Sequence, residues 1–414
     1  MVSVSTSDPN RRGGVIAGGY RGIPLVRGEK YHLSFFMRTA TSVTPVPIQI
    51  ALEDSLRSRR ISDVFVTSPT YEWTRYTHTF IATEDEPKAV LTFSINSTSF
   101  FWLDLVSLTP DKTWKNRPNG FRLDVMEKIA ALSPAFIRYK GTVDDEGFSD
   151  FEQICKDLNT EALYAIDSSR LVEKHVFASE AFFISDNSLF QSDYTPTSPG
   201  LWIEGMAVTD SKSRGTLGAA VAGACFLIRV ESASRLISRI AFTPIASNID
   251  SDSPYPPLIS FSNSEAVVSP SYYLLQMFAH NQGDVVLKTE VNTYSRPQIV
   301  LGLPPDSLVV DESLPPLPSI VSNATLDKNT RTLLLKVVNT TLHDEITEII
   351  IHGANANSQA TIVQLKGSPE WKNTLESPNM VIPNEETISF PIGRNITYKF
   401  PPNSVTILKL LLNN

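Results

Sequence analysis

Between residues 116 and 280 the chain alternates between helical and strand patterns, whereas the segments on either side carry strand patterns only. The segment from Leu123 to Leu132 has the apolar spacing of a helix, and Ser133-Pro134 ends it before the short strand pattern Ala135 to Tyr139. Helices that alternate with strands form parallel sheets, because two parallel strands need a long crossover connection. The middle of the chain is therefore expected to be an α/β domain.

Five strands and four helices are predicted in this middle segment. The strands are 135–139, 162–166, 176–178, 201–203 and 240–242, and the helices are 123–132, 150–158, 215–230 and 271–278. A closed (β/α) barrel has eight strands and needs about 200 residues or more. We therefore expect either an incomplete (β/α) barrel of the TIM type or an open sheet.

Both flanking segments predict β-sandwiches. Short strands at regular spacing indicate a jelly-roll-like sandwich in residues 1–112, and strand patterns resume after residue 285 in a second sandwich. Aromatic residues such as those in Phe100-Phe101-Trp102 either belong to the core of the first sandwich or form a face on which sugar rings would stack. The predicted domains are 1–112, a carbohydrate-binding-like sandwich, 113–284, and 285–414.

Charge and cysteine content narrow the possible classes of protein. The net charge is −8, and no block of Lys and Arg marks a nucleic-acid or anionic-membrane surface. Cys155 and Cys225 are too few for a disulfide framework and lack metal-ligand spacing, so both are expected to be buried thiols. No apolar run is long enough to span a bilayer, and the first ten residues do not have the pattern of a signal peptide.

Four glycosylation sequons nevertheless favour an extracellular glycoprotein in the full-length form. They lie at Asn96, Asn323, Asn339 and Asn395.

Glu204 lies at the end of a predicted strand, where a (β/α) barrel would place a catalytic carboxylate. The sequence Leu201-Trp202-Ile203 is typical of the end of a buried strand, and Glu204 is its last residue. Residues 205–210 then form a turn before the helix at 215–230. Active sites of (β/α) barrels lie at the carboxyl ends of the strands, so Glu204 is a candidate catalytic group. The alternative is that Glu204 is only the first solvated residue after a strand.

Several segments, in their order along the chain, resemble glycoside hydrolase family 51, the α-L-arabinofuranosidases. Lys115–Asp124 and Leu132–Tyr139 resemble the segment that leads into the first barrel strand of that family. Trp202–Thr209 resembles its nucleophile strand, and Ala224–Ile228 resembles the helix that follows. Asn373–Pro378 and Val381–Pro383 resemble a motif of its C-terminal sandwich. The resemblance implies a sandwich, a barrel and a second sandwich. It covers nearly the whole chain.

The resemblance also implies an activity, which is the retaining hydrolysis of terminal non-reducing α-L-arabinofuranosyl residues in arabinan, arabinoxylan or small arabinosides. No metal and no organic cofactor is implied. Glu204 matches the nucleophile, His175 an active-site histidine that helps to hold the substrate or the nucleophile, and Arg138 an arginine near the barrel mouth. His175 would otherwise be a satisfied histidine at a strand end, and Arg138 a structural ion-pair partner.

The sequence departs from the family pattern in its second catalytic group. The segment that carries the family's Gly-Asn-Glu acid/base motif is skipped after Asp167, and the only Asn-Glu pair is Asn384-Glu385. Retaining glycosidases need two carboxyl groups about 5 Å apart. Asp167 and Glu180 lie near predicted strand ends and are the substitutes considered, although nothing in their spacing distinguishes either from an ordinary surface acid. Gly205-Met206 also stands where the family has a tyrosine.

Three interpretations remain open at this point. The chain is an α-L-arabinofuranosidase, a catalytically inactive remnant that binds carbohydrate, or the product of a gene model that lacks a coding segment between Asp167 and Ser168. Its expected partner is an arabinose-containing polysaccharide or oligosaccharide, and its oligomeric state is not predicted.

Overall fold

The computed structural model describes residues 2–4, 12–19, 21–118, 120–139, 147–164, 175–177, 201–206, 213–235, 237–251, 255–296, 298–301, 308–311 and 317–413. They fall into two compact units, Met1–Glu127 with Phe261–Glu265, and Lys128–Ser260 with Ala266–Asn414. The domain boundaries predicted at 112/113 and 284/285 stay predictions.

The first unit is built from antiparallel strands. In the described part these are β1 Val2–Val4, β2 Gly13–Ala17, β3 Ile23–Leu25, β4 Lys30–Arg38, β5 Ile48–Glu53, β6 Phe65–Thr67, β7 Thr74–Ile81, β8 Glu86–Ile95 and β9 Ser99–Pro110. One sheet has the order β1-β9-β4-β7, and the other has the order β2-β8-β5-β6 with β3 paired to β8. The β content predicted for residues 1–112 is confirmed for these residues.

Alternation along the strands of the first unit determines which side chains are buried. In β4, Leu33, Phe35 and Met37 are buried, whereas the residues between them are partly exposed. The buried residues share one core with side chains of the second sheet such as Phe93, whose ring meets that of Phe35 edge to face at 5.1 Å. Burial of each large apolar side chain contributes about 1.5 to 3 kcal/mol. The other face of the β1-β9-β4-β7 sheet stays available to solvent.

Four α-helices are described, and each coincides with a predicted helix. They are α1 Leu123–Ala131, α2 Phe148–Leu158, α3 Leu217–Ser232 and α4 Pro270–Ala279, in addition to a 3-10 turn at Trp114–Asn116. Helix α3 has few polar residues and is buried on most of its circumference, as its Gly/Ala-rich sequence predicts. Thr216 caps its first turn by accepting a hydrogen bond from the Ala219 amide.

The α/β segment contains two parallel ladders. Strands β10 Phe136–Tyr139 and β11 Glu161–Tyr164 pair with each other, and β13 Leu201–Met206 lies between β12 His175–Phe177 and β14 Ile237–Phe242. These are the five strands predicted for this segment, and the predicted parallel pairing is confirmed. A small sheet follows, made of β15 Ala246–Asn248, β16 Ile259–Phe261 and β17 Ala266–Val268.

The C-terminal segment returns to β structure, as predicted. Its described strands are β18 Val285–Leu287, β19 Ser295–Arg296, β20 Gln298–Leu301, β21 Leu308–Asp311, β22 Leu317–Pro318, β23 Ile320–Asp327, β24 Thr332–Asn339, β25 Glu345–Ile350, β26 Asn355–Lys366, β27 Asn384–Ser389, β28 Asn395–Phe400 and β29 Ser404–Asn413. Six of them form the sheet β18-β23-β24-β29-β26-β27, and β25 pairs with β28.

Strand β24 is buried on both faces. Leu333, Leu335 and Val337 belong to the core of the C-terminal strands, whereas Val338 joins the core around α3 and α4. On this second face Lys336 is fully buried and forms an ion pair with Glu231 of α3. Glu231 also accepts a hydrogen bond of 2.6 Å from Asn323. Helix α3 is thus held to the C-terminal sheet by a polar cluster, Glu231, Asn323 and Lys336, as well as by apolar packing.

Two of the four sequons are buried, which corrects their interpretation as glycan sites. Asn339 has no exposed surface, and its amide donates to the carbonyls of His343, Phe400 and Pro401. Asn323 is only 2% exposed. A glycan at either position would break these contacts. Asn96 and Asn395 are exposed.

Candidate active site

Glu204 lies in the middle strand of the three-stranded parallel ladder. Its backbone is opposite Phe177 on β12 and Ala241 on β14. The strand does not close at Glu204, as the sequence suggested, but continues through Gly205 to Met206. The apolar run that precedes Glu204 is typical of a strand with parallel neighbours on both sides.

A β-bulge at Gly205 follows the candidate nucleophile. Glu204 is opposite Ala241 and Met206 is opposite the next residue, Phe242, so Gly205 is the extra residue of the ladder. Pairing with β14 resumes at Met206 after this extra residue, so the strand extends past Glu204. Bulges bend a strand locally and are common beside active sites.

His175 occupies the strand next to Glu204. It is the first residue of β12 and is opposite Trp202, two residues before Glu204. From strand spacing and rise, the Cα atoms of His175 and Glu204 are roughly 8 Å apart. The ladder thus brings these two predicted site residues together at the level of the backbone.

Arg138 lies in the other parallel ladder. It is the third residue of β10 and is opposite Leu163 on β11. The side chain is half-buried, and this burial lowers the pKa of the guanidinium below its ordinary value. Among the described residues no backbone pairing joins the ladder of Arg138 to that of Glu204.

A different arginine, Arg239 on β14, links the two ladders, and sequence reasoning missed it. Its two terminal nitrogens lie 3.0 and 3.2 Å from the carboxylate oxygens of Glu161, the first residue of β11. The guanidinium also lies 5.4 Å from the ring centroid of Phe136, the first residue of β10. An arginine within the apolar strand Ile237–Phe242 is the one signal that the sequence offered for this contact.

No second catalytic carboxylate is assigned by the described residues. The Asn-Glu pair lies on β27, where Glu385 is opposite Val363 in the C-terminal sheet, and therefore in neither parallel ladder. Asp167 and Glu180, the two substitutes considered from the sequence, lie outside the described residues.

The two thiols do not offer a nucleophile. Cys155 is buried and Cys225 is partly buried, and neither forms a disulfide. Burial raises the pKa of both thiols, that of Cys225 to about 12. Both therefore stay protonated at neutral pH, and Glu204 remains the candidate for covalent chemistry.

Comparison with known proteins decides the family. The family model described as "Alpha-L-arabinofuranosidase C-terminal domain" matches residues 194–404, just over half of the chain, and this range includes strand β13. The chain belongs to glycoside hydrolase family 51. The α-L-arabinofuranosidases of this family are glycoside hydrolases, and the resemblance seen in the sequence is confirmed.

Curated relatives of this family 51 chain match over a short segment. An extracellular exo-α-L-arabinofuranosidase of Streptomyces chartreusis is 34% identical over 125 residues, which are 30% of this chain and 14% of the relative. Alpha-L-arabinofuranosidase 1 of Arabidopsis thaliana is 28% identical over 137 residues, which are 32% of this chain and 20% of the relative. The aligned segment thus spans a fifth or less of these two relatives.

Solved structures show that the family 51 fold extends over the chain. The arabinose-bound α-L-arabinofuranosidase MgGH51 superposes with a TM-score of 0.77 at 16% identity, covering 99% of this chain and 87% of that one. The α-L-arabinofuranosidase of Thermotoga maritima, solved as an arabinose complex, gives a TM-score of 0.52 at 13% identity over 70% of this chain and 90% of its own.

Proposed function

We propose that this chain is a retaining α-L-arabinofuranosidase with Glu204 as its nucleophile. Its substrates would be terminal non-reducing α-L-arabinofuranosyl residues of arabinan, arabinoxylan or small arabinosides. The observation that carries this proposal is the position of Glu204 on the central parallel strand, within the segment that the family model matches. The jelly-roll-like N-terminal sandwich and the incomplete (β/α) barrel are part of the same proposal.

The chemistry follows from one positioned carboxylate. The Glu204 carboxylate attacks the anomeric carbon, the bond to the leaving oxygen breaks, and the leaving group departs with the bonding electrons. The resulting arabinosyl ester is then hydrolysed by water, which regenerates the carboxylate and releases arabinose. A second carboxyl group normally protonates the leaving oxygen and later deprotonates the water. That group is not assigned in this chain, so both steps depend on the intrinsic reactivity of the leaving group and of water.

His175 and Arg138 are proposed to bind the substrate. The position of His175 on the neighbouring strand, roughly 8 Å from Glu204 by strand geometry, suits a hydrogen bond to a sugar hydroxyl beside the reacting carbon. Arg138, which belongs to the other ladder, is proposed to contact another part of the substrate.

The rate should depend steeply on the leaving group. A general acid raises the rate of such a reaction about 10² to 10⁴-fold, and most of this acceleration is needed only for poor leaving groups. We therefore expect phenyl α-L-arabinofuranoside to react about 10² to 10⁴-fold more slowly than the dinitrophenyl analogue. The measurement is kcat/KM for both substrates with the purified chain.

Two other outcomes of this measurement would change the proposal. Similar rates for the two substrates would mean that an acid is present, and Asp167 and Glu180 would be the first positions to substitute. No hydrolysis of either substrate by the folded chain would favour the inactive remnant that only binds carbohydrate.

We also propose an extracellular location for the full-length protein. The relative from Streptomyces chartreusis is described as extracellular, and Asn96 and Asn395 are exposed sequons. In the part of the chain that the structure describes, no helix is long and apolar enough to cross a membrane. The proposed partner is an arabinose-containing glycan.

A further inference from the structure

The solvent-facing side of the β1-β9-β4-β7 sheet carries rows of side chains that are unusual for an exposed surface. In the centre, Phe36 of β4 is opposite Arg75 of β7 on one side and Asp104 of β9 on the other. In the next row, Ser34 is opposite Thr77 and Ser107. An aromatic ring is thus flanked by a donor, an acceptor and hydroxyl groups.

A groove of about 420 Å³ lies on this face, and Asp104 is next to its lining residue Leu105 in the chain. Its walls and floor are formed by Ser34, Phe36, Arg75, Leu105, Val106 and Ser107. This volume lies within the range of about 300 to 1,000 Å³ that is typical of small-ligand sites. The groove lies entirely in the first unit and contains none of the residues assigned to catalysis.

One wall of the groove is held in an unfavourable backbone conformation. Leu105 has φ of 47° and belongs to an irregularity of β9, where the register shifts between Ser34 and Phe36 of the facing strand. Its side chain is nevertheless 70% exposed. A branched residue at positive φ is strained, and strain of this kind concentrates where a ligand is clamped. Glycine would adopt the same turn at lower cost.

A second, independent feature lies in the next row along the same face. The Arg38 guanidinium lies between two indole rings, 5.2 Å from the Trp73 centroid and 4.6 Å from the Trp102 centroid. Its Nε is buried and has no hydrogen-bond partner among the described residues. Trp73 keeps 44% of its surface exposed. The exposed Trp73 ring therefore adds a flat apolar surface to the face that carries the groove.

We propose that this face binds an uncharged glycan chain. A pyranose or furanose ring would stack on Phe36, and its hydroxyl groups would bond to Arg75, Asp104, Ser34 and Ser107. The opposite charges of Arg75 and Asp104 on either side of the ring match a neutral polyol, which offers both donors and acceptors. An anionic polysaccharide would meet the carboxylate of Asp104.

Affinity electrophoresis of the full chain in gels that contain soluble arabinoxylan tests the proposal. The measurements are made in the Glu204→Gln background, which prevents hydrolysis of the probe. Phe36→Ala should lower the affinity about tenfold, since stacking on one ring is lost. Phe36→Tyr keeps the ring and should restore most of the binding.

Leu105→Gly distinguishes binding from folding. Relief of the positive φ should leave the melting temperature unchanged or raise it, whereas loss of the wall should weaken retardation by arabinoxylan. Leu342→Gly, at a comparably exposed leucine of the second unit, is the matched control and should not change retardation.

Three results would overturn the proposal. They are equal retardation of the parent and the Phe36→Ala and Leu105→Gly variants, absence of retardation of the parent, and stronger retardation by polygalacturonate than by arabinoxylan. The binding measured here does not require turnover at Glu204, so it would survive failure of the proposed hydrolysis.

Discussion

Replacing Glu204 by glutamine is expected to lower the hydrolysis of dinitrophenyl α-L-arabinofuranoside by at least about 10³-fold. The amide keeps the size of the side chain but is a poor nucleophile, so the arabinosyl ester cannot form. With a good leaving group the first step needs little acid catalysis, and the effect therefore reports on the nucleophile alone. Release of dinitrophenol is followed in the pre-steady state and at steady state.

Glu348→Gln is the matched control for this substitution. Glu348 is an exposed strand glutamate on β25 that accepts a hydrogen bond of 3.1 Å from Asn395. The same chemical change there should leave the rate within about twofold, as expected for a surface substitution. If Glu204→Gln retains the rate of the parent chain, Glu204 is not the nucleophile and its position on the central strand has only a structural role.

The second large effect concerns stability. Glu231→Ala is expected to lower the free energy of unfolding by about 3 to 5 kcal/mol, because it leaves the buried Lys336 ammonium without its partner. Lys336 has no exposed side-chain surface and lies 4.9 Å from the ring centroid of Phe278. Asn323 would lose its acceptor in the same variant. Urea unfolding followed by circular dichroism measures the difference.

The free energy of unfolding that Glu231→Ala removes should become smaller as the pH rises. Desolvation lowers the pKa of Lys336 below its ordinary value of 10.5 and outweighs the attraction of Glu231. The folded state therefore loses this proton at lower pH than the unfolded state. The penalty for the buried charge is present at neutral pH and disappears as the pH rises through the lowered pKa towards 10.5. Removal of Glu231 should therefore cost less near that pH than at neutral pH.

Lys336→Met distinguishes a buried charge from a general loss of packing. Methionine removes the cation, while Glu231 is 20% exposed and keeps Asn323 as a donor. The expected cost is below about 1 kcal/mol. A loss from Lys336→Met as large as that from Glu231→Ala would contradict this account, as would a loss below about 1 kcal/mol from Glu231→Ala.

Much of the fold follows from local patterns. The regular spacing of short strand patterns in residues 1–112 predicted the antiparallel strands of the first unit, and the helical pattern at 215–230 predicted helix α3. The order of helices and strands predicted the parallel ladders, because parallel pairing requires crossover connections. Each of these predictions depends on residues that are close in sequence.

Contacts between distant residues could not be predicted in the same way. Lys336 lies in an apolar run that indicates a strand buried on both faces, but its partner Glu231 is on a helix far away in sequence. The contact between Arg239 and Glu161 likewise joins two residues that are far apart in the sequence. The sequon at Asn339 predicted a glycan site at a residue that is fully buried, because a motif of three residues carries no information about burial.

The candidate site was predicted in part. The apolar run before Glu204 placed that residue on a strand, and the family resemblance supplied His175 on a neighbouring strand. The bulge at Gly205 was not predicted, because it depends on the register with β14. The assignment of Arg138 to a different ladder likewise required strand pairing.

Intact-protein and peptide mass spectrometry after brief reaction with dinitrophenyl α-L-arabinofuranoside tests the central claim most directly. Without an assigned base to activate water, the second step should be slower than the first, so the arabinosyl ester should accumulate. We expect the mass of one arabinosyl group per chain, located on the peptide that contains Glu204. A folded chain that stays unlabelled, or that carries the label on another residue, would contradict the assignment of Glu204 as the nucleophile.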